Sequence, residues 1–447
     1  MDSTLYYFGL GCLVLALVAM ASRVLFDRRE IYKFPTLAAI LGLAWVVPQA
    51  IAIESLRVND YATEGFWLYV AACFVFIAIG FRIGRWAYDR RRELSPGLTL
   101  PDYDVDRLSL ACLGLAAIGW TSLFLLQGMN LEELGSQWTG QAAFLVLLGK
   151  SSGLALCLSV LAYARTRSRA ALVIAILVAL PMLQTALVGV RRELLFDIVL
   201  LSVGVWLFAK NRFPPRAAII AAALVGTIVI NSAGNLRAYV SSGEGTLLSA
   251  LTSTETYANF SYFERGEGEA SELRQAQFDH WSVSQISSYQ YGAGYWNGLV
   301  QLYVPAFIMG RDFKEGLKIS NSYTENFGRG RNELYFHGST RTGFADSYSN
   351  FGPLGVLAFL LIGYFFGFLY SNAIIGGLAG QFLYFSMLAE GLKAITHSTA
   401  EFLAALPFAL ILALVALQFA KVRDRRSRSA KSATRAPGVN GAGSLSR

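Results

Sequence analysis

Long runs of apolar residues, separated by loops that carry most of the charges, constrain this chain more than any other feature. A hydrocarbon core about 30 Å thick needs roughly 20 apolar residues in one helix. Eleven runs of about that length occur within the 447 residues. They lie at about 4–25, 34–53, 66–86, 108–126, 142–164, 170–188, 193–209, 216–233, 351–373, 378–395 and 402–420. The pattern predicts an all-α polytopic membrane protein with about 11 transmembrane helices.

Composition excludes several other classes of protein. Apolar residues make up 54% of the chain and charged residues only 15%. Because an average soluble domain carries roughly 25% charged residues, this chain lacks the polar side chains to cover a surface in water. A soluble enzyme, a disordered chain and a small disulfide-rich scaffold are therefore excluded. The cysteines lie inside apolar runs without metal-ligand spacing, so no zinc site is expected at Cys12, Cys73, Cys112 and Cys157.

The formal net charge of +8 is concentrated in the C-terminal tail, residues 421–447. Eight basic residues against Asp424 give this tail +7, which leaves +1 for the rest of the chain. The tail is rich in Ser, Ala, Gly and Arg without an apolar period, so we expect it to be disordered and to face the anionic inner leaflet. The high net charge therefore gives no reason to expect a nucleic-acid partner.

Lysines and arginines in the short loops predict the orientation of the helices. Basic loops follow the first, third, fifth and seventh runs and alternate with acidic loops. The N-terminus is then outside and the C-terminus cytoplasmic. Residues 1–233 hold transmembrane helices 1–8, residues 234–350 form a large outer (periplasmic) region, and residues 351–420 hold helices 9–11. The apolar run near 295–310 contains Pro305 and is predicted to be an interfacial or re-entrant helix.

Two arginines break the charge pattern. The segment GVRREL places Arg191 and Arg192 in a short loop on the predicted outer side. One interpretation is structural, in which Arg192 pairs with Glu193 or Asp197 or reaches lipid head groups. The other is an anion site, because guanidinium groups beside the start of a helix suit a phosphate. Both interpretations stay open from the sequence.

The large outer region combines charged residues with aromatic ones. Arginine, histidine and acidic residues alternate with Tyr and Phe towards its end, and more aromatic residues lie upstream. Aromatic faces beside hydrogen-bonding groups are typical of a sugar-binding cleft. The candidates are Tyr291, Tyr295, Trp296 and Tyr335. The alternative is an aromatic belt at the membrane interface, which is favoured for Tyr303 and Phe307.

Two further patterns were weighed against simpler explanations. Asp102, Asp104 and Asp106 resemble the metal clamp of nucleotide-sugar transferases, but they lie in a predicted cytoplasmic loop. Asp106 is explained more simply as a helix N-cap, so no metal is expected. Lys150 lies within an apolar run, where an ionisable residue is a functional candidate. It could equally extend towards the membrane surface or pair with Asp197.

Together these features resemble the Wzy-type O-antigen or oligosaccharide repeat-unit polymerases. The resemblance rests on the many helices, the segment GVRREL, one large outer region and the passage RTGFADSYSNFGPLGVLAFLLIGYFFG. Arg341 precedes Gly352 by eleven positions, which is similar to an arginine-to-glycine spacing in an outer loop of these polymerases. In the related O-antigen ligases a histidine holds the position of this arginine, and His337 lies four residues too early for that role.

The resemblance implies a GT-C-like multi-helix fold and a metal-independent glycosyltransferase without a cofactor. The substrate would be an oligosaccharide repeat unit on undecaprenyl pyrophosphate, polymerised at the outer face of the bacterial inner membrane. Membrane lipids, a flippase and a chain-length regulator would be its partners. The product would be an O-antigen, a capsule or an exopolysaccharide.

Charge development during such a transfer indicates which residues would take part. Preorganised guanidinium groups stabilise negative charge on a departing pyrophosphate, and an acceptor hydroxyl needs a base within hydrogen-bond reach. The candidates for the pyrophosphate are Arg191, Arg341, Arg237 and Arg192. The candidate bases are Asp346, His337 and Glu333. Asp346 is preferred because it lies between Arg341 and Gly352.

Three other functions fit the same sequence. A ligase-type enzyme would transfer a finished glycan to another acceptor. A carrier would flip or export a polysaccharide or a lipid-linked sugar, and would need a polar stripe through several helices. A structural membrane protein would use its outer loops only to hold partners.

Overall fold

The computed structural model describes residues 3–55, 63–94, 102–127, 141–188, 192–241, 272–286, 288–320, 341–375 and 377–422. Over these residues the regular structure is helical, and eight helices are long and apolar enough to cross a membrane. Two shorter apolar helices, Leu194–Ala209 and Arg216–Ile228, accompany them. The chain is therefore an all-helical polytopic membrane protein, whereas the count of about 11 spans and the GT-C-like fold stay predictions.

The N-terminal half contains twelve α-helices within the described residues. They are α1 (Ser3–Ala21), α2 (Arg23–Phe26), α3 (Phe34–Leu41), α4 (Val47–Ser55), α5 (Phe66–Leu94), α6 (Val105–Gln127), α7 (Gln141–Gly149), α8 (Ser151–Thr166), α9 (Arg169–Val188), α10 (Arg192–Val199), α11 (Val205–Ala209) and α12 (Arg216–Ser241). A 3-10 turn, Arg28–Tyr32, precedes α3. Two π-helical turns, Gly42–Val46 and Leu200–Gly204, interrupt the second and seventh apolar runs. Such turns insert an extra residue and rotate the face of the helix that follows.

The outer region and the C-terminal half contribute the remaining helices. They are α13 (Glu272–Ile286), α14 (Ala293–Tyr303), α15 (Ala306–Met309), α16 (Arg311–Gly316), α17 (Gly343–Phe351), α18 (Val356–Ile375), α19 (Gly377–Thr396) and α20 (Thr399–Ala420). A 3-10 turn, Gly352–Gly355, joins α17 to α18. The apolar run near 295–310 forms α14 and, after Pro305, α15. Its interfacial or re-entrant placement stays a prediction, and the tail beyond residue 422 lies outside the described residues.

The loops that the charge pattern assigns to the cytoplasm meet at one end of the helices. The Tyr32 hydroxyl donates to the Arg212 carbonyl at 3.0 Å, and the Arg165 guanidinium donates to the Gln381 side chain at 3.0 Å. Tyr103 and Lys421 form an isolated antiparallel β-bridge. Residues from the opposite loops meet at the other end, which is referred to below as the outer end. There Gln49 donates to Glu272 at 3.0 Å, and its amide oxygen accepts from the Leu273 backbone at 3.1 Å.

Helices α5 and α18 pack in parallel along almost their whole length. Two glycines in each helix face the backbone of the other, and a Cβ atom at any of them would collide with a carbonyl oxygen. Gly80 and Gly84 face the carbonyls of Leu360 and Tyr364, while Gly363 and Gly367 face those of Ile77 and Phe81. This spacing repeats the small-xxx-small pattern that lets membrane helices approach closely. The contact continues from Tyr69, whose hydroxyl lies beside Gly355 just before α18, to Tyr88, whose hydroxyl donates to Asn372 near the opposite end.

We predict that Gly363→Ala destabilises the protein by about 1–3 kcal/mol, because the added methyl group overpacks the contact with the Ile77 carbonyl. Helix propensity alone would favour alanine by up to about 1 kcal/mol. Gly114→Ala in α6 is the matched control, since nothing lies within 4 Å of a Cβ atom there. Thermal midpoints of the detergent-purified variants measure both effects. Equal midpoints for the two variants would contradict the role of the glycine contact.

Candidate functional site

The outer end carries a short helix, α17, that organises a charged site. The Thr342 hydroxyl caps this helix by accepting from the Ala345 backbone at 3.2 Å. Gly352 ends the helix at φ +58° and ψ −139°, a conformation that residues with a Cβ atom rarely adopt. A Cβ atom there would also meet the Tyr289 ring. The eleven-residue interval from Arg341 to Gly352 therefore spans the whole of α17, from the residue before its cap to the glycine that ends it.

Arg341 lies at the centre of this site and contacts two carboxylates. Its Nε donates to Oδ2 of Asp279 at 3.0 Å, and its Nη1 lies 3.7 Å from Oδ1 of Asp346. Its Nη2 donates to the Ser349 hydroxyl. The Asp279 side chain is fully buried and the Asp346 side chain is 4% exposed, whereas 19% of the Arg341 side chain is exposed. One guanidinium group thus faces two buried carboxylates, so its loss would leave Asp279 buried without a counter-charge.

Asp346 joins α17 to the start of α20. Its Oδ2 accepts from the Thr399 hydroxyl at 2.7 Å, from the Ala400 backbone at 2.9 Å and from the Ser398 hydroxyl at 3.1 Å. A carboxylate at a helix N-terminus is stabilised by the unpaired N–H groups there and by the helix dipole. Its Oδ1 is less engaged, with Asn350 Nδ2 at 3.3 Å and Arg341 at 3.7 Å. Proton transfer at this residue would therefore take place on Oδ1.

Exposed aromatic rings flank the charged site. Tyr291 has φ +49°, an uncommon conformation for a residue with a side chain, and 75% of it is exposed. Its backbone N–H donates to the Asn350 carbonyl at 2.8 Å, while that of Gln290 donates to Ser349 at 2.9 Å. These bonds hold the turn against the end of α17. Local strain that holds an exposed tyrosine beside buried charges is typical of a binding site.

The other predicted sugar-binding residues of α14 have different surroundings. Trp296 is 46% exposed, and its indole N–H donates to the Leu317 carbonyl at 2.8 Å. Tyr295 is half-buried against Phe351, and its hydroxyl lies 2.8 Å from that of Thr399. Tyr295 therefore belongs to the hydrogen-bond network around Asp346, whereas Trp296 presents an exposed ring.

Sequence reasoning did not identify the two residues of α13 that complete the site. Asp279 pairs with Arg341, and the neighbouring His280 stacks on Tyr348 with ring centroids 3.8 Å apart. His280 Nδ1 lies 2.6 Å from the Thr63 hydroxyl. Burial lowers the pKa of His280 to about 4, so its ring is neutral at pH 7. Asp279 and Arg341 are 62 positions apart, and no motif spacing in the sequence connects them.

The described residues include only part of the predicted site. The structure brings Arg341, Asp346, Tyr291 and Tyr295 together at the outer end. Arg191, Glu333, Tyr335 and His337 lie outside the described residues. Arg192 lies at the start of α10 and Arg237 near the end of α12, and at these two positions the structure describes only the helical backbone. The functional roles of all the predicted site residues stay predictions.

A second group of charged residues lies within the helices at the outer end. Lys150 donates to Glu390 at 2.7 Å, and Lys393 donates to Asp197 at 2.6 Å and to the other oxygen of Glu390 at 3.3 Å. Glu401 lies 3.9 Å from Lys150. We call these five residues the membrane-level network. A pair between Lys150 and Asp197, one of the possibilities from the sequence, is not formed, because each binds a charged residue of α19 instead.

The two α19 residues of this network were missed although the sequence carried a signal. Glu390 and Lys393 both lie inside the apolar run 378–395, where charged residues are functional candidates.

Across the described ranges, no group of three or more His, Cys, Asp or Glu side chains could hold a metal ion. Comparison of the chain with protein-family models, with curated proteins and with solved structures finds no match.

We predict that Arg341→Ala lowers the stability of the protein by about 3–5 kcal/mol, because Asp279 would be left buried without a counter-charge. The double variant Arg341→Met with Asp279→Asn should recover most of this loss. Arg311→Ala is the control, since Arg311 is exposed on α16. Thermal unfolding in detergent measures all three. If the double variant were no more stable than Arg341→Ala, the pairing would not be the reason for the loss.

A separate prediction concerns His280 and pH. The unfolded chain protonates this histidine near pH 6.5, whereas the folded protein protonates it only near pH 4. Stability therefore declines as the pH falls through this interval, by about 3 kcal/mol for this group alone. In His280→Asn the decline between pH 6.5 and pH 4 should be correspondingly shallower. Thermal midpoints across this range test it, and an unchanged pH profile in the variant would contradict it.

Proposed function

We propose that this protein polymerises lipid-linked oligosaccharide units by glycosyl transfer at the outer face of the bacterial inner membrane. The observation that carries the proposal is the strained, exposed Tyr291 beside the Arg341–Asp346 pair at the outer end of a polytopic bundle. An aromatic face that can stack on a sugar ring and a carboxylate that can accept a hydroxyl proton are the two groups an acceptor glycan requires.

The proposed reaction assigns a separate role to each group. The acceptor hydroxyl oxygen forms a bond to the anomeric carbon of the donor, and the bond from that carbon to the pyrophosphate oxygen breaks. The hydroxyl proton passes to Oδ1 of Asp346, which has fewer hydrogen bonds than Oδ2. Arg341 holds Asp346 and Asp279 in position and stays a candidate for the pyrophosphate. Charge on the departing pyrophosphate is then stabilised by Arg191, together with Arg192 and Arg237 as further candidates.

Transport is the second candidate function, and the membrane-level network favours it. Polar groups inside a helical bundle can mark the route of a substrate or a coupling ion. The five charged residues of the network come from α10, α19, α20 and the position between α7 and α8. Proteoliposomes loaded with a lipid-linked sugar separate the two functions, because a carrier moves the sugar across the bilayer without making a new glycosidic bond.

We predict that Asp346→Asn lowers the rate of polymer formation by about 10²-fold or more, because the acceptor hydroxyl loses its base. Arg191→Ala should lower it by an amount equivalent to about 2–4 kcal/mol of transition-state stabilisation. The measurement is the ladder of polymers that reconstituted protein makes from lipid-linked repeat units.

The control for this experiment is Phe307→Ala, which removes an exposed aromatic ring on α15 away from the charged site. Its ladder should match that of the unaltered protein. Correct insertion of each variant is verified by its elution as a folded monodisperse species. Near-normal ladders from folded Asp346→Asn and Arg191→Ala would refute the assigned roles, and no ladder from the unaltered protein would refute polymerisation itself.

A further inference from the structure

The membrane-level network contains a carboxylate oxygen that has no hydrogen-bond partner among the described residues. Asp197 is 6% exposed, and its Oδ2 accepts from Lys393, but its Oδ1 is buried and unpaired. A buried carboxylate oxygen without a donor is costly and therefore indicates a missing partner that carries one. The chemistry of this oxygen calls for an N–H or O–H group.

The two lysines of the network retain donors of their own. An ammonium group has three N–H donors. Lys150 uses one on Glu390, and Lys393 uses one on Glu390 and one on Asp197. Their side chains are 21% and 27% exposed. Among the described residues, the network thus contains one carboxylate oxygen without a donor, Oδ1 of Asp197, close to lysine N–H groups without an acceptor.

The network lies near the outer ends of the helices that carry it. Helix α19 packs on α8 and on the π-helical turn Leu200–Gly204. The long side chains of Lys150 and Lys393 join α19 to the start of α8 and to α10. Asp197 is the sixth residue of α10, about 8 Å along the helix from its start. Glu401 lies in the first turn of α20. The network is therefore within reach of lipid head groups of the outer leaflet.

We propose that the membrane-level network binds the head group of a phospholipid with a primary ammonium group, such as phosphatidylethanolamine. The lipid ammonium donates to Oδ1 of Asp197, and the lipid phosphate accepts from the unused N–H groups of Lys393 and Lys150. This assignment concerns a lipid site separate from Arg341 and Asp346, so it does not depend on the proposed glycosyl transfer.

Charge complementarity favours a zwitterionic head group over an anionic one. The network has three carboxylates and two ammonium groups, so its formal charge is −1. An anionic lipid would add negative charge beside the unpaired oxygen of Asp197. A zwitterionic head group adds no net charge and places its positive end at that oxygen. A quaternary ammonium, as in phosphatidylcholine, has no N–H group to donate.

Native mass spectrometry of the purified full chain tests this site with three lipids added at equal concentration: POPE, POPC and POPG. We expect POPE to bind about tenfold more tightly than POPC, the ratio that one charge-assisted hydrogen bond provides. In Asp197→Asn this preference should disappear. Asp312→Asn, which alters an exposed acid on α16, is the matched control and should keep it.

A second variant keeps the test decisive if Asp197→Asn alone fails to fold. Asp197→Asn combined with Lys393→Gln removes one charge of each sign, so no buried charge loses its only partner. It should fold and bind POPE and POPC equally. Equal binding of the two lipids by the unaltered protein, tighter binding of POPG than of POPE, or a POPE preference that survives in both variants would each overturn the proposal.

Discussion

The close parallel contact between α5 and α18 is the interaction on which the rest of the structure depends. Its four glycines bring the two backbones together, and this contact fixes one helix from the N-terminal half against one from the C-terminal half. Just beyond its outer end, the Tyr69 hydroxyl lies 2.8 Å from that of Ser347 on α17. The position of α17, and hence of Arg341 and Asp346, follows from the packing of these two membrane helices. A charged site is thus placed by the close backbone packing of two membrane helices.

Asp346 performs a second linking role, because it fastens α17 to the first turn of α20. The same turn of α20 carries Glu401, which faces Lys150 of the membrane-level network. The outer charged site and the membrane-level network are therefore connected through one helix start of four residues. On the side of the outer charged site, this link consists of the hydrogen bonds from Ser398, Thr399 and Ala400 to Asp346.

The sequence predicted the helical class because apolar length is a local property that can be read along the chain. It also predicted Arg341 and Asp346 for one site, since both lie in the short passage that resembles the polymerases, and it predicted Tyr291 from the aromatic residues upstream. It could not predict Asp279 as the partner of Arg341, because that pairing depends on how α13 packs against α17. The pairing of Lys150 with Glu390 was missed for the same reason, although two charges in one apolar run were visible. Pairings across 62 or 240 positions are a product of packing alone.

The glycine contact also has a consequence for the order in which the chain assembles during synthesis. Helix α5 enters the membrane long before α18 has been made, since 290 residues separate the starts of the two helices. Until α18 arrives, the face of α5 with Gly80 and Gly84 has lipid or another helix beside it. A nascent chain therefore carries an unfilled groove of backbone carbonyls through most of its translation, and closing that groove is a late, long-range step. Whatever shields this groove in the meantime, lipid or an insertion factor, must leave before the outer site can form.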